Sequence, residues 1–121
     1  MPDDVKTIAE SLKGKKAKFK ALDVKPEGTK AIKLPKAVSD GLQDVFGAKL
    51  NKVRVHFGGN AMAMCKEVKA KAFTYGQDIY VSKPAFAKDN ALLAHELTHV
   101  VQQAGGKKMP KEQKGKVLVT K

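Results

Sequence analysis

His95, Glu96 and His99 stand in the order His-Glu-x-x-His within Ala94-His95-Glu96-Leu97-Thr98-His99-Val100-Val101-Gln102-Gln103. Imidazoles four residues apart leave a helix on the same side, one turn above each other, and can share a single metal ion, most often zinc. A glutamate one step along is rotated by roughly 100° and lies beside such an ion, where it can take a proton from a metal-bound water. The chemistry served by that pattern is hydrolysis by an activated water. So short a pattern also arises by chance, and the competing reading is an amphipathic helix with two solvated histidines.

The surrounding residues favour the first reading. On a helical wheel His95, His99 and Gln102 share one side, with Glu96 and Gln103 on its flank. Leu93, Leu97, Val100 and Ala104 collect on the other, as a core-facing stripe. A helix over about residues 91–104 follows, with Asp89 or Asn90 as its cap and Gly105-Gly106 as its stop. A catalytic zinc usually takes three protein ligands and leaves one position for water. No histidine follows His99, so the third donor must come from His56, the only other histidine, or from a carboxylate such as Glu67, Asp78 or Glu112. Gln102 points the right way, but an amide oxygen is a poor zinc ligand and suits a supporting or substrate contact.

The elements that must position these residues are legible in outline. Val5 to Leu12 reads as a short helix, and Lys13-Gly14-Lys15-Lys16-Ala17-Lys18-Phe19-Lys20 as a solvated lysine arm. Lys25-Pro26-Glu27-Gly28 is a turn. Pro35 suits the first turn of a helix in which Val38, Leu42, Val45 and Phe46 recur at helical spacing, with Gly47 as its cap. Val53 to Phe57 alternates as a strand, with Arg54 and His56 on one face. Asn60 caps a short helix from Ala61 to Val68 that buries Met64, Cys65 and Val68. Ala72 to Tyr75 and Asp78 to Val81, joined by Gly76-Gln77, form a β-hairpin. Val117-Leu118-Val119 adds an edge strand. The domain limits are a basic arm at 1–33, a compact unit at 34–104 and a basic tail at 105–121.

Composition narrows the classes. The chain has 121 residues, enough for one small domain, and its aromatic content is low, with no tryptophan. Bound zinc would contribute to folding at this size. One cysteine, Cys65, excludes an internal disulfide and fits a reducing compartment. Its apolar setting argues for a buried thiol rather than a nucleophile. The acidic start and the lack of a long apolar run predict neither a signal peptide nor a membrane span. Net charge is +12, and nine of those excess charges lie outside residues 34–104. Such flanks suit an acidic partner, nucleic acid or solubility. Arg54 is the only arginine, which disfavours base-specific readout.

Four blocks carry a resemblance: Leu34-Pro35, Val53-Arg54-Val55-His56, Ala72-Phe73-Thr74-Tyr75-Gly76-Gln77-Asp78-Ile79, and Leu92 through Gln103. In this order they resemble the zincin-like core domain family of extracellular contractile injection systems, over about residues 34–103. The resemblance implies an α+β zincin-like domain, a short β-sheet and hairpin packed on the His-Glu-x-x-His helix. It implies a zinc metallopeptidase found in bacterial effector or toxin-associated proteins. His56 matches the family's Val-Arg-Val-His block and is the expected third ligand beside His95 and His99, with Glu96 as general base. In zincins a strand such as the hairpin holds the substrate chain, and Tyr75 or Tyr80 could stabilise the oxyanion, although ordinary packing competes for both. Asp78 could orient a ligand imidazole; Gln102 and Gln103 are expected to support the site or contact substrate. The expected cofactor is Zn2+. The expected partner is a polypeptide substrate or a toxin or other secretion-system component, with polyanion binding through the lysines as a lesser alternative. The expected location is the producing cell's cytoplasm, with export through a contractile or type VI-like apparatus. A different class of function, a non-catalytic zinc-stabilised binding or toxin-loading module, fits the same residues.

Overall fold

Period-two alternation dictates how the strands of this chain divide their side chains between two layers. The computed structural model describes residues 5–12, 14–15, 17–104, 109–112 and 114–119. Its elements are α1 (Val5–Ser11), β1 (Lys18–Ala21), β2 (Lys30–Lys33), α2 (Lys36–Phe46), β3 (Arg54–Phe57) and α3 (Ala61–Glu67). Then follow β4 (Ala72–Tyr75), β5 (Asp78–Val81), a 3-10 turn at Pro84–Lys88, α4 (Asn90–Gln103) and β6 (Lys116–Val119). The six strands form one mixed sheet in the order β1-β6-β4-β5-β3-β2. Only β3 and β5 run parallel; the other neighbours are antiparallel.

Register defines the two faces. One lateral row runs Phe19, Leu118, Thr74, Ile79, Val55, Ile32 across all six strands. This face meets α1, α2 and α4, and its core joins Val55, Ile79 and Leu118 to Val5, Val38, Leu42, Leu93 and Leu97. The neighbouring row, one residue along each strand, is Lys18, Val119, Phe73, Tyr80, His56, Ala31. It belongs to the opposite face, where α3 contributes Met64 and Cys65 to a second core with Phe73, Tyr80 and Val119.

The α2 helix forms as its spacing requires, burying Val38 and Leu42 and ending at Gly47, whose φ of 73° is left-handed. Gly41 within it has a steric reason. A Cβ there would lie 2.6 Å from a Val5 methyl, so a larger residue would push α1 off α2. The hairpin and β3 fall where alternation puts them. Asn60 precedes α3 but makes no side-chain cap. Its amide instead accepts from the Glu27 N–H and donates to the Lys25 carbonyl, both at 2.8 Å, tying down the loop before β2.

The flanks differ most from expectation. Lys18–Ala21, expected as part of a solvated arm, is a strand, and Lys30–Lys33, which carries no strand signal in the sequence, forms β2. Lysines obscure both, yet each strand pairs along its length because Phe19 and Ile32 face the core. Strand β6 is not at the edge; it lies between β1 and β4. Met109 is buried and Glu112 lies against the hairpin turn at Gly76, so these tail residues pack rather than trail. The expected helix stop at Gly105-Gly106 lies outside the described residues. Among those described, no helix is long and apolar enough to cross a membrane.

Candidate functional site

Asp89 starts the helix that carries the motif. Its carboxylate accepts from the Leu92 N–H at 3.1 Å and supplies the N-cap. Leu93, Leu97 and Val100 are buried as the stripe requires, but Ala94, Val101, Glu96, Thr98 and His99 are buried as well. The helix is thus covered on more than its core-facing side.

His95 and His99 lie together, their ring centroids 4.7 Å apart and their planes 26° from parallel. One turn of helix brings the rings to a common side, as spacing alone predicts. His99 is 8% exposed, and His95 is half-buried. Burial first, then the neighbouring His99, then the Lys15 charge hold the His95 imidazole below the ordinary histidine range. Neutral imidazole, the form so favoured, is also the one that binds metal. As a donor set the pair fits a metal ion as two of its ligands. Among the described residues no group of three His, Cys, Asp or Glu is assembled for one.

Glu96 is only 2% exposed and turns toward the sheet, where it accepts a hydrogen bond from the Thr74 hydroxyl at 3.0 Å. Thr74 is the single polar member of the Phe19-to-Ile32 row, so the contact is built into the centre of the core-facing side. Sequence reasoning missed Thr74. A threonine in a strand is unremarked by propensity, and nothing local says which element lies above it. The Thr98 hydroxyl, also buried, has no hydrogen-bond partner among the described residues.

The polar flank of α4 is contacted by the connection between α1 and β1. The Gly14 N–H donates to the Gln102 side-chain oxygen at 2.7 Å. The Ala17 N–H donates to the His99 carbonyl at 3.1 Å. Gln103, on the next flank, is half-buried.

The remaining site candidates do not join this group. His56 stacks on Tyr80 at 4.5 Å between centroids, and Tyr80 stacks on Phe73 at 4.9 Å. Those rings belong to the α3-side row, while Thr74, Glu96 and α4 occupy the other face. The thickness of the sheet therefore separates His56 from His95 and His99, correcting its expected role as third ligand. Asp78 does orient an imidazole, but that of His56, with Nε2 to Oδ1 at 2.8 Å. Tyr80 is buried, its phenol pushed up to about 12 by burial, then by Asp78 and Tyr75. Tyr75 lies on the same side as Asp78, and its hydroxyl donates to Glu112 at 3.4 Å. Neither tyrosine faces the motif, so neither serves it as an oxyanion donor. Glu112 stays with Tyr75, and Glu67 is exposed on α3. Burial, and after it the Glu96 charge, push the Cys65 thiol up to about 12, which leaves it inert as a nucleophile.

Strand alternation is what splits the candidates. The strand expected at Val53 to Phe57 forms over Arg54–Phe57, with Arg54 and His56 on one side; which side meets α4 depends on its register against β5.

Comparison with known proteins adds one match. No curated protein and no solved structure shows significant similarity to the chain. A family profile described as the eCIS core domain matches residues 33–107, more than half of the sequence and including α2 through α4. That match carries an association with contractile injection systems. Spanning β3, the hairpin and the His-Glu-x-x-His helix in order, it establishes that the chain belongs to the eCIS core domain family.

Proposed function

We propose that this protein is a zinc-dependent peptidase of zincin type, acting as an effector or an effector-processing component of its secretion system. The observation that carries the reading is the stacked His95–His99 pair on consecutive turns of α4. Both residues would hold the ion through ring nitrogens. Bound there, zinc would supply Lewis acidity and a water made acidic enough to attack at neutral pH. Glu96, next to His95 in sequence, is the group that receives the water's proton and returns it to the leaving amine as the peptide C–N bond breaks. Thr74 holds one Glu96 oxygen and so orients the carboxylate during both transfers. Supporting ligands beyond the two imidazoles are left to water or substrate.

A second reading is favoured by one specific observation, the near-complete burial of Glu96. A carboxylate tied to the sheet suits a metal-stabilised module that loads or retains another component without cutting it.

Metal analysis and two variants discriminate. Purified protein is expected to carry about one zinc per chain, and His95→Ala to lose it. Glu96→Ala is expected to retain zinc and abolish cleavage of a peptide library. If cleavage persists in Glu96→Ala, Glu96 is not the base. If the wild type holds zinc and cuts nothing, while delivery by the secretion system requires His95 but not Glu96, the loading module is correct.

A further inference from the structure

On the α3 side of the sheet, away from His95 and His99, lies a cavity of about 580 Å³. That volume falls within the range of small-ligand sites, about 300–1,000 Å³. Its floor is strand: Phe73 and Tyr75 from β4, Tyr80 from β5 and Val117 from β6. One wall is the connection between β1 and β2, from Leu22 to Pro26, and the facing wall holds Glu112, Lys114 and Gly115. These walls are fastened. The Leu22 N–H donates to the Gly115 carbonyl at 2.9 Å, and the Asn60 amide ties the first wall at Lys25 and Glu27. Both walls lie outside residues 33–107, so the cavity does not follow from membership of the family.

The fixed polar groups that border it can accept hydrogen bonds. Tyr80 is 6% exposed, and its hydroxyl has no hydrogen-bond partner among the described residues. Phe73 and His56 stack on its two faces, from the strands on either side of β5, so its edge and hydroxyl are what it offers the cavity. Tyr75 spends its proton on Glu112, which leaves its oxygen able to accept. The carboxylates of Asp23 and Glu112 only accept. Neither forms an ion pair among the described residues, although Lys25 and Lys114 line the same cavity. Each carboxylate is set against a neighbour: a Cβ on Gly115 would lie 3.7 Å from Asp23 Oδ1, and one on Gly76 3.0 Å from Glu112 Oε1. Both lysines are exposed, and such long stems carry their charge out to water. The net charge of +12 opposes a cation at long range. Salt screens charges beyond about 8 Å, so the groups lining the cavity decide.

We propose that this cavity binds an alkylammonium group on an apolar stem, the chemistry shared by a lysine side chain and a free primary amine. The stem lies against Leu22, Val117 and the aromatic floor, and the ammonium gives its N–H groups to the carboxylate and hydroxyl acceptors. The site is separated from the His-Glu-x-x-His helix by the sheet, and stands whether or not the peptidase reading does.

The chain has two tyrosines, Tyr75 and Tyr80, and no tryptophan, so its intrinsic emission reports on this cavity alone. Full-length protein is titrated with n-butylammonium chloride at constant ionic strength, with butan-1-ol as the neutral counterpart and sodium butyrate as the anionic one. Isothermal calorimetry repeats each titration. Butylammonium is expected to bind saturably and about tenfold more tightly than either counterpart, the factor of one hydrogen bond to a charged group. Glu112→Gln and Tyr80→Phe are each expected to weaken it about tenfold, with folding checked by circular dichroism. Asp44→Asn, on α2 across the sheet, should leave it unchanged. N-acetyl-lysine N-methylamide separates the two sources: affinity matching butylammonium assigns a lysine of a polypeptide, and weaker binding assigns a free amine. Butan-1-ol binding as tightly as butylammonium, butyrate binding more tightly, or no saturable response in emission or heat would overturn the proposal. So would full affinity in both Glu112→Gln and Tyr80→Phe.

Discussion

Thr74 carries more consequence than its type suggests. It sits in the middle of an apolar row and spends its hydroxyl on a glutamate that is almost wholly withdrawn from water. A carboxylate placed in such surroundings costs free energy unless it is hydrogen-bonded. Thr74→Val keeps the shape and removes the donor, and is expected to lower unfolding stability by about 1–3 kcal/mol, read from urea denaturation. Thr74→Ser should recover most of that loss. A valine variant as stable as the wild type would mean that the contact contributes nothing and that Glu96 is satisfied elsewhere. His56 makes the converse point. Its identity and its Val-Arg-Val-His setting are plain in the sequence, but its ring is engaged by Asp78 and Tyr80 on the far side of the sheet.

The α3-side row is an element-level device, three rings stacked across β3, β5 and β4. It has a pH signature. The Tyr80 phenol, pushed up to about 12 by burial and then by Asp78 and Tyr75, stays protonated in the fold. An unfolded tyrosine loses its proton near ~10. Between those values the unfolded chain has released a proton that the native state keeps, so stability falls as pH rises from about 10 to about 12. Tyr80→Phe preserves the stack and removes the titrating group. Its urea midpoint should decline less steeply across that window; an identical slope would show that Tyr80 does not contribute to alkaline unfolding. The helices and hairpin were accessible to sequence reasoning because each satisfies a local rule: Asp89 before α4, Gly47 after α2, glycine in the turn between β4 and β5. Strands β1 and β2 obey no such local rule. Their lysines look like solvated chain, and become strand positions only because β6 and β3 lie ready to pair with them.

At the level of the whole molecule, the lysine-rich flanks have a structural task. Both sheet edges, β1 and β2, carry two lysines each, at 18 and 20 and at 30 and 33. Charged edges of this kind resist pairing with other chains. The family match at 33–107 leaves β1, β6 and nearly all of β2 outside it, although these strands complete the sheet here. A chain trimmed to residues 34–104 is therefore expected to lose its cooperative thermal transition by circular dichroism. A sharp transition in the trimmed chain would show that those three strands are dispensable. Residue types and spacing by themselves determined where α4 runs, the common direction of His95 and His99, the hairpin and the α+β class, because each depends on contacts within a turn of helix or between adjacent strands. Distant contacts decided the rest. That Glu96 meets Thr74, that His56 faces away, and that Gly14 lies on Gln102 all follow from which face of a six-stranded sheet receives α4. Alternation says that a strand has two faces; only pairing and packing say what lies against each.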